Sequence, residues 1–167
     1  TLAYSFQIYF DFYGYSLIAI GLGKIFGFNL PQNFNHPYQS TDPKDFWRKW
    51  HISLSSWIRD YLYVPLGGNK SYVKNIVIIF AITGLWHGAA WTFVVWGLYH
   101  ATIVLGYAKI APVWDKLYRP FRQLCTFILV SLGWILFIFD FNGVADFTKS
   151  LVGMGTGTLA TDGAEMW

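Results

Sequence analysis

The residue that most invites a chemical reading is His87, a titratable imidazole inside the apolar run 80–100. Gly84 and Gly88 flank it, as do Trp86 and Trp91. An ionisable group at membrane depth is costly, so by default it marks a functional site. A pKa near ~6.5 suits an imidazole to work as a general base. The competing reading is a histidine satisfied by a neighbour in a helix bundle, or one at the headgroup level among tryptophans. Asp11 poses the same question in an earlier apolar segment. Gln7, Asp11 and Tyr15 recur every four residues and share one helix face. The carboxylate is either an interhelical hydrogen-bond anchor or part of a catalytic or substrate path. His51, next to Trp50, is either a surface imidazole at the headgroups or a second polar group lining a cytoplasmic entrance. His100 could face the same cavity as His87 or approach the interface. His36 lies in a loop with no evident partner.

Other chemistries lack their residues. No serine or cysteine stands in a nucleophile motif such as G-x-S-x-G. No H-E-x-x-H run or clustered carboxylate–histidine set marks a metal site. One cysteine, Cys125, excludes an internal disulfide and a thiolate metal cage. It reads as a buried spectator thiol.

Composition says what holds these groups. Of 167 residues, 54% are hydrophobic, 21% aromatic and 13% charged, with a mean hydropathy of +0.37. A soluble domain carries roughly 25% charged residues, so the chain reads as a membrane protein. The net charge of +3 is too small to suggest nucleic acid. Lys24, Lys44, Arg48, Lys49, Arg59, Lys70 and Lys74 face only Asp42, Asp45 and Asp60 in the same stretch. Such an excess beside membrane spans marks the cytoplasmic side. The chain opens directly in an apolar segment without methionine, which reads as a piece of a longer polytopic protein. No signal-peptide pattern is present.

Residues 2–23 supply the roughly 20 apolar positions a crossing needs. Residues 28–45 break any helix with Pro31, Pro37 and Pro43 and read as an ordered loop. Beyond Asp42-Pro43, a helix start signal, Phe46, Trp50, Leu54, Trp57, Ile58, Tyr61 and Leu62 repeat every three to four residues. One amphipathic helix lying in the interface is predicted there, with His51 inside it. Residues 73–107 would make one straight helix of about 50 Å, too long for a ~30 Å core. Basic residues flank it on both sides, so a single crossing breaks the charge rule. Two shorter segments meeting near residues 84–88 obey it and put His87 at a break. Broken backbone at that depth is tolerated where it is buried in protein or lines a wet cavity. Residues 121–141 form a further span. Residues 142–152 have the spacing of a short amphipathic helix, and 153–165 read as a flexible loop.

Four stretches together resemble the membrane-bound O-acyltransferases. They are YSFQIYFDFYGYS (4–16), LPQNFNHPY (30–38), DFWRKWHISLSSWIRDYLYVPLGGN (45–69) and GLWHGAAWTFVVWGLYH (84–100). The likeness is to the bacterial branch with the membrane subunits for alginate and peptidoglycan O-acetylation and the teichoic-acid D-alanylation protein. The chain departs at Tyr13 and Leu17, where the family often carries a small residue and an aspartate. The resemblance implies an all-α, polytopic membrane fold and makes this chain a fragment of a larger helical ring around a tunnel. It implies His87, in the WHG stretch, as the catalytic residue and His51 as a second recurrent polar position. Asp11, Trp86 and His100 are expected along the substrate path.

One partial membrane domain, 1–167, follows from this reading. It comprises a transmembrane segment 1–28, a cytoplasmic loop and interfacial helix 29–72, a membrane-embedded catalytic segment 73–107, a transmembrane segment 121–141 and a loop 142–167. The expected reaction passes an acyl group, acetyl first, from a cytoplasmic thioester such as acetyl-CoA or a loaded acyl carrier protein. No bound cofactor is expected. The acceptor is the hydroxyl of an exported polysaccharide, or a partner extracytoplasmic transferase, at the bacterial inner membrane. D-alanyl transfer to teichoic acid is the close variant. A transporter or channel subunit, with Asp11 and His87 along a proton or substrate path, and a structural scaffold are the non-enzymatic alternatives.

Overall fold

The computed structural model describes residues 2–151, and among them every regular element is helical. Helix α1 (Leu2–Ile25) is followed by a loop with one 3₁₀ turn at Pro37–Gln39. Two short helices follow, α2 (Pro43–Lys49) and α3 (Ile52–Ile58), the latter running on as a π-helical turn over Arg59–Tyr63. A 3₁₀ turn at Gly68–Ser71 leads into α4 (Tyr72–His87). Then come α5 (Trp91–Trp114), α6 (Arg119–Gly133), α7 (Ile135–Ile138) and α8 (Phe141–Leu151). The amphipathic spacing over 142–152 thus takes the form of α8, whereas residues 153–165 lie outside the described residues.

Two helical stretches are long and apolar enough to cross a membrane: Trp91–Trp114 and Arg119–Ile138. Helix α1 has 24 residues, about 36 Å of rise, but its mix of tyrosine, glycine and polar side chains makes it less apolar than these two. Phe6, Phe10, Leu17, Ile18 and Leu22 stand exposed along it.

Local chemistry explains where α1 stops. Gly27 adopts φ +82°, which only glycine enters without cost. The Phe28 N–H then donates to Gly23 O at 2.8 Å and the Gly27 N–H to Lys24 O at 3.1 Å. That pair of bonds is the Schellman closure, and it folds Leu30 back onto Gly23. Helix α2 starts on Asp42, whose carboxylate accepts from the Asp45 N–H at 2.7 Å, with Pro43 in the first turn. Such caps are worth about 0.5–2 kcal/mol.

The predicted single interfacial helix is in fact two. Trp50 leaves the helical region and His51 enters the left-handed one, at φ +46°. The loop before α2 holds this break open. The Asn35 N–H donates to Lys49 O and the Ile52 N–H to Asn33 O, both at 3.0 Å. His51 therefore caps a break instead of sitting within a helix.

Helices α4 and α5 form an antiparallel hairpin, joined by Gly88–Ala90. At 16 residues, α4 rises only about 24 Å, less than a ~30 Å hydrocarbon core. The break falls at the glycine the sequence marked: a side chain on Gly88 would run into the Phe93 ring. The core is aromatic. Phe34, Phe46, Trp50, Trp96 and Trp134 are buried together, with Tyr9, Tyr38 and Phe137 packed around them. Hydrogen bonds lock the layers. The Ser5 hydroxyl meets that of Ser131 at 3.0 Å, and Tyr38 OH donates to Ser5 O. Trp114 Nε1 donates to Thr41 O at 2.8 Å.

Candidate active site

His87 and His51 each reach their place by a helix interruption. His87 is the last residue of α4, so its side chain projects from a helix end beside the extended Gly88–Ala90 link. Three rings surround it: Trp86 at 5.0 Å between centroids, Trp96 at 5.1 Å and Phe137 at 5.2 Å. His51 occupies the α2–α3 break in a conformation that costs a residue with a side chain about 1–3 kcal/mol. Its ring stands edge-on to Phe12 of α1 at 4.7 Å and lies 6.4 Å from Trp86. His51 Nδ1 is buried without a hydrogen-bond partner among the described residues. Burial disfavours the imidazolium and pushes the pKa of His51 below the ordinary histidine value.

Two cavities meet at these imidazoles. The first, about 380 Å³, is walled by Gln7, Asp11 and Phe12 of α1, by Trp96, and by Trp134 and Phe137. The second, about 430 Å³, runs between α2–α3 and α4. Its lining includes Lys44, Arg48 and Arg59 with Tyr63, Asn69 and Tyr72, and deeper in Ile76, Ile79 and Phe80. Trp50, His51 and His87 belong to both linings. The histidines thus stand on a seam with a carboxylate and an amide on one side and a cationic, then apolar, channel on the other.

The cations differ in how far they are engaged. Arg59 is paired with Asp60 at 2.7 Å. Lys44 and Arg48 make no ion pair among the described residues, and Lys44 Nζ lies 6.0 Å from the centre of the Tyr72 ring. The π-helical turn, closed by the Val64 N–H to Arg59 O at 2.9 Å, brings both Arg59 and Tyr63 onto the cavity. Such turns recur at functional sites. Tyr63 OH donates to Asn69 Oδ1 at 2.6 Å. Buried Asn75 fastens the following turn through Leu66 O and Gly68 O.

Asp11 lies exposed in the first cavity and makes no hydrogen bond or ion pair among the described residues. Of its predicted face partners, Gln7 lines the same cavity and Tyr15 does not. Trp86 touches both histidine rings but lies outside both linings, 63% exposed. His100 also lies outside both. It is fully buried in a box of Trp47, Phe80, Trp96, Tyr99 and Trp134, pressed against Gly133. Trp96 separates it from His87. Neither cavity nor interface is its surrounding, because the face of α5 that carries it packs on α2 and α6. Sequence reasoning did not single out Trp96 or Asn33. Only the NFNHPY wording around Asn33 offered a signal.

Helices of membrane length, a closed helical hairpin and two imidazoles between two cavities are the architecture of a helical membrane protein. The family model described as membrane-bound O-acyltransferase matches residues 1–139, and the chain belongs to that family. It is 48% identical over 142 residues to the probable alginate O-acetylase AlgI of Azotobacter vinelandii, covering 82% of this chain and 28% of that protein. To the peptidoglycan O-acetyltransferase of Helicobacter pylori it is 43% identical over 145 residues, again covering 82% and 28%. The teichoic acid D-alanyltransferase of Bacillus subtilis is more distant, 34% identical over 151 residues, covering 83% of this chain and 38% of that protein. The chain thus spans little more than a quarter of the two acetylating relatives.

Proposed function

We propose that the protein transfers an acyl group, acetyl in the first instance, from a cytoplasmic thioester to a hydroxyl of an exported cell-wall or exopolysaccharide. The observation that carries this reading is the seam, where His51 and His87 are reachable from two differently charged cavities. Lys44 and Arg48, which make no ion pair among the described residues, suit the phosphates of acetyl-CoA or of a phosphopantetheine carrier. The apolar depth beyond them suits the pantetheine arm. On the other side, Asp11 and Gln7 suit a hydroxylated acceptor, either the polymer itself or a partner extracytoplasmic transferase. Membership of a membrane family with bacterial relatives supports a place in the inner membrane, where further helices would complete the enclosure.

A free hydroxyl is a poor nucleophile at neutral pH. His87 takes its proton as the oxygen attacks the thioester carbonyl. The C–S bond then breaks, and the departing sulfur recovers the proton from the imidazolium. His51, held neutral, donates a hydrogen bond to the carbonyl oxygen as charge gathers there. No acyl-enzyme is needed. The higher identity to the acetylating relatives, 43–48% against 34%, favours acetyl over D-alanyl.

The test is His87→Ala and His87→Gln in the full-length protein with its native partners. Acyl incorporation into polysaccharide from labelled acetyl-CoA should fall by about 10²–10⁴-fold, the usual share of a general base. Incorporation at the wild-type level overturns the assignment. Ion or solute flux lost without any acyl transfer in the wild type would point to a transporter instead.

A further inference from the structure

The loop between α1 and α2 gives no side chain to either cavity, yet one of its residues holds the backbone that carries His51. The first N–H groups of a helix lack intrahelical partners, and a side chain at the N-cap usually accepts them. His51 is the N-cap of α3 and makes no such bond. Asn33 does this from outside the helix. Its main-chain oxygen accepts from the Ile52 N–H at 3.0 Å. Its Oδ1 accepts from the Ser53 N–H at 3.1 Å and the Ser53 hydroxyl at 2.6 Å. Its Nδ2 lies 3.4 Å from Ser16 Oγ on α1, the helix whose Phe12 packs on the His51 ring.

We propose that Asn33 is a positioning residue: by capping α3 from the preceding loop it fixes the left-handed break, and so aims the His51 imidazole at the seam it shares with His87. The proposal rests on the reading that His51 works at that seam. The two anchoring partners have separate effects. The Oδ1 bonds tie the first turn of α3 to the loop at the break, whereas the Nδ2 contact sets only the distance of that loop from α1. An aspartate at 33 keeps the first and removes the amide donor from the second.

The experiment uses the full-length protein in membranes, with acetyl-CoA as the probe donor. Asn33→Ala should lower kcat at least about tenfold with KM for acetyl-CoA unchanged, the pattern of an interaction felt in the transition state. Asn33→Asp should restore kcat to within roughly threefold, because the acceptor oxygens return. In a His51→Ala background, Asn33→Ala should cause no further loss, since the two act as one unit. Wild-type kcat in Asn33→Ala overturns the proposal. So does a loss that aspartate fails to rescue, or one that persists undiminished without His51. If His51→Ala itself leaves kcat unchanged, the underlying reading fails and the proposal falls with it. An inactive His51→Ala beside a fully active Asn33→Ala sinks the positioning role alone. Should Asn33→Ala fail to reach the membrane, Ser53→Ala decides, with a few-fold fall in kcat expected and an unchanged kcat overturning the idea.

Discussion

Gly84 of α4 and Phe93 of α5 meet backbone to backbone: a methyl group on Gly84 would overlap the Phe93 carbonyl. One turn further along, Gly97 meets the Phe80 carbonyl in the same way. The two glycines let the hairpin close, and the hairpin's closed end carries His87. Replacing a helical glycine by alanine ordinarily gains about 0.5–1 kcal/mol. Here the sign reverses. Gly84→Ala and Gly97→Ala should each lower the Tm of the full-length protein in detergent and reduce acyl transfer. Gly106→Ala, also on α5 but with no atom within 4 Å of the methyl position, should leave both unchanged or raise Tm slightly. Equal Tm values for all three would mean that the close approach is not what holds the hairpin.

Lys44 and Arg48 line the second cavity without an ion-pair partner among the described residues. If they meet the phosphates of the donor, neutralising either should raise KM for acetyl-CoA and spare kcat. Exposed charge pairs are worth about 0.2–1 kcal/mol, so up to roughly fivefold in KM is expected for each. Added salt should shrink the difference between variant and wild type. A change in kcat at constant KM would place these cations elsewhere in the cycle.

Asp11 stands in the other cavity. Asp11→Asn keeps its shape and removes its charge. Acceptor use, read as kcat/KM for the acceptor, should drop about tenfold, the loss of one charge-assisted hydrogen bond. The donor KM should not move. A raised donor KM would contradict the division of labour between the two cavities.

Parts of this arrangement were legible in the sequence. The break after His87 could be read from chain length, flanking charge and glycine, because each bears on whether one helix can cross. The break at His51 could not. The apolar period runs unbroken through Phe46, Trp50, Leu54 and Trp57, and local periodicity carries no trace of Asn33, an acceptor many residues upstream. His100 was ambiguous for a related reason. An apolar helix in a membrane presents similar side chains to lipid and to protein, so only packing reveals that its imidazole faces a box of aromatic rings.

The pH response of His51 is the sharpest consequence of its burial. Its pKa lies below the ordinary value in the folded protein, while the unfolded chain protonates near ~6.5. Above that value both states are neutral and the site costs nothing. As pH falls through it, the unfolded chain binds the proton first, so stability is present above ~6.5 and erodes progressively below. His51→Gln removes the titrating group and should flatten the Tm–pH curve between that value and the folded-state midpoint. The same depression keeps His51 able to offer one N–H and no charge at neutral pH. Nitrogen-15 spectra of histidine-labelled protein, with the His51 signal assigned by its loss in His51→Gln, should show a neutral ring at pH 6.5. A midpoint at or above that pH would mean that the ring is solvated, and the proposed hydrogen bond to the carbonyl oxygen would lose the dry setting on which its strength depends.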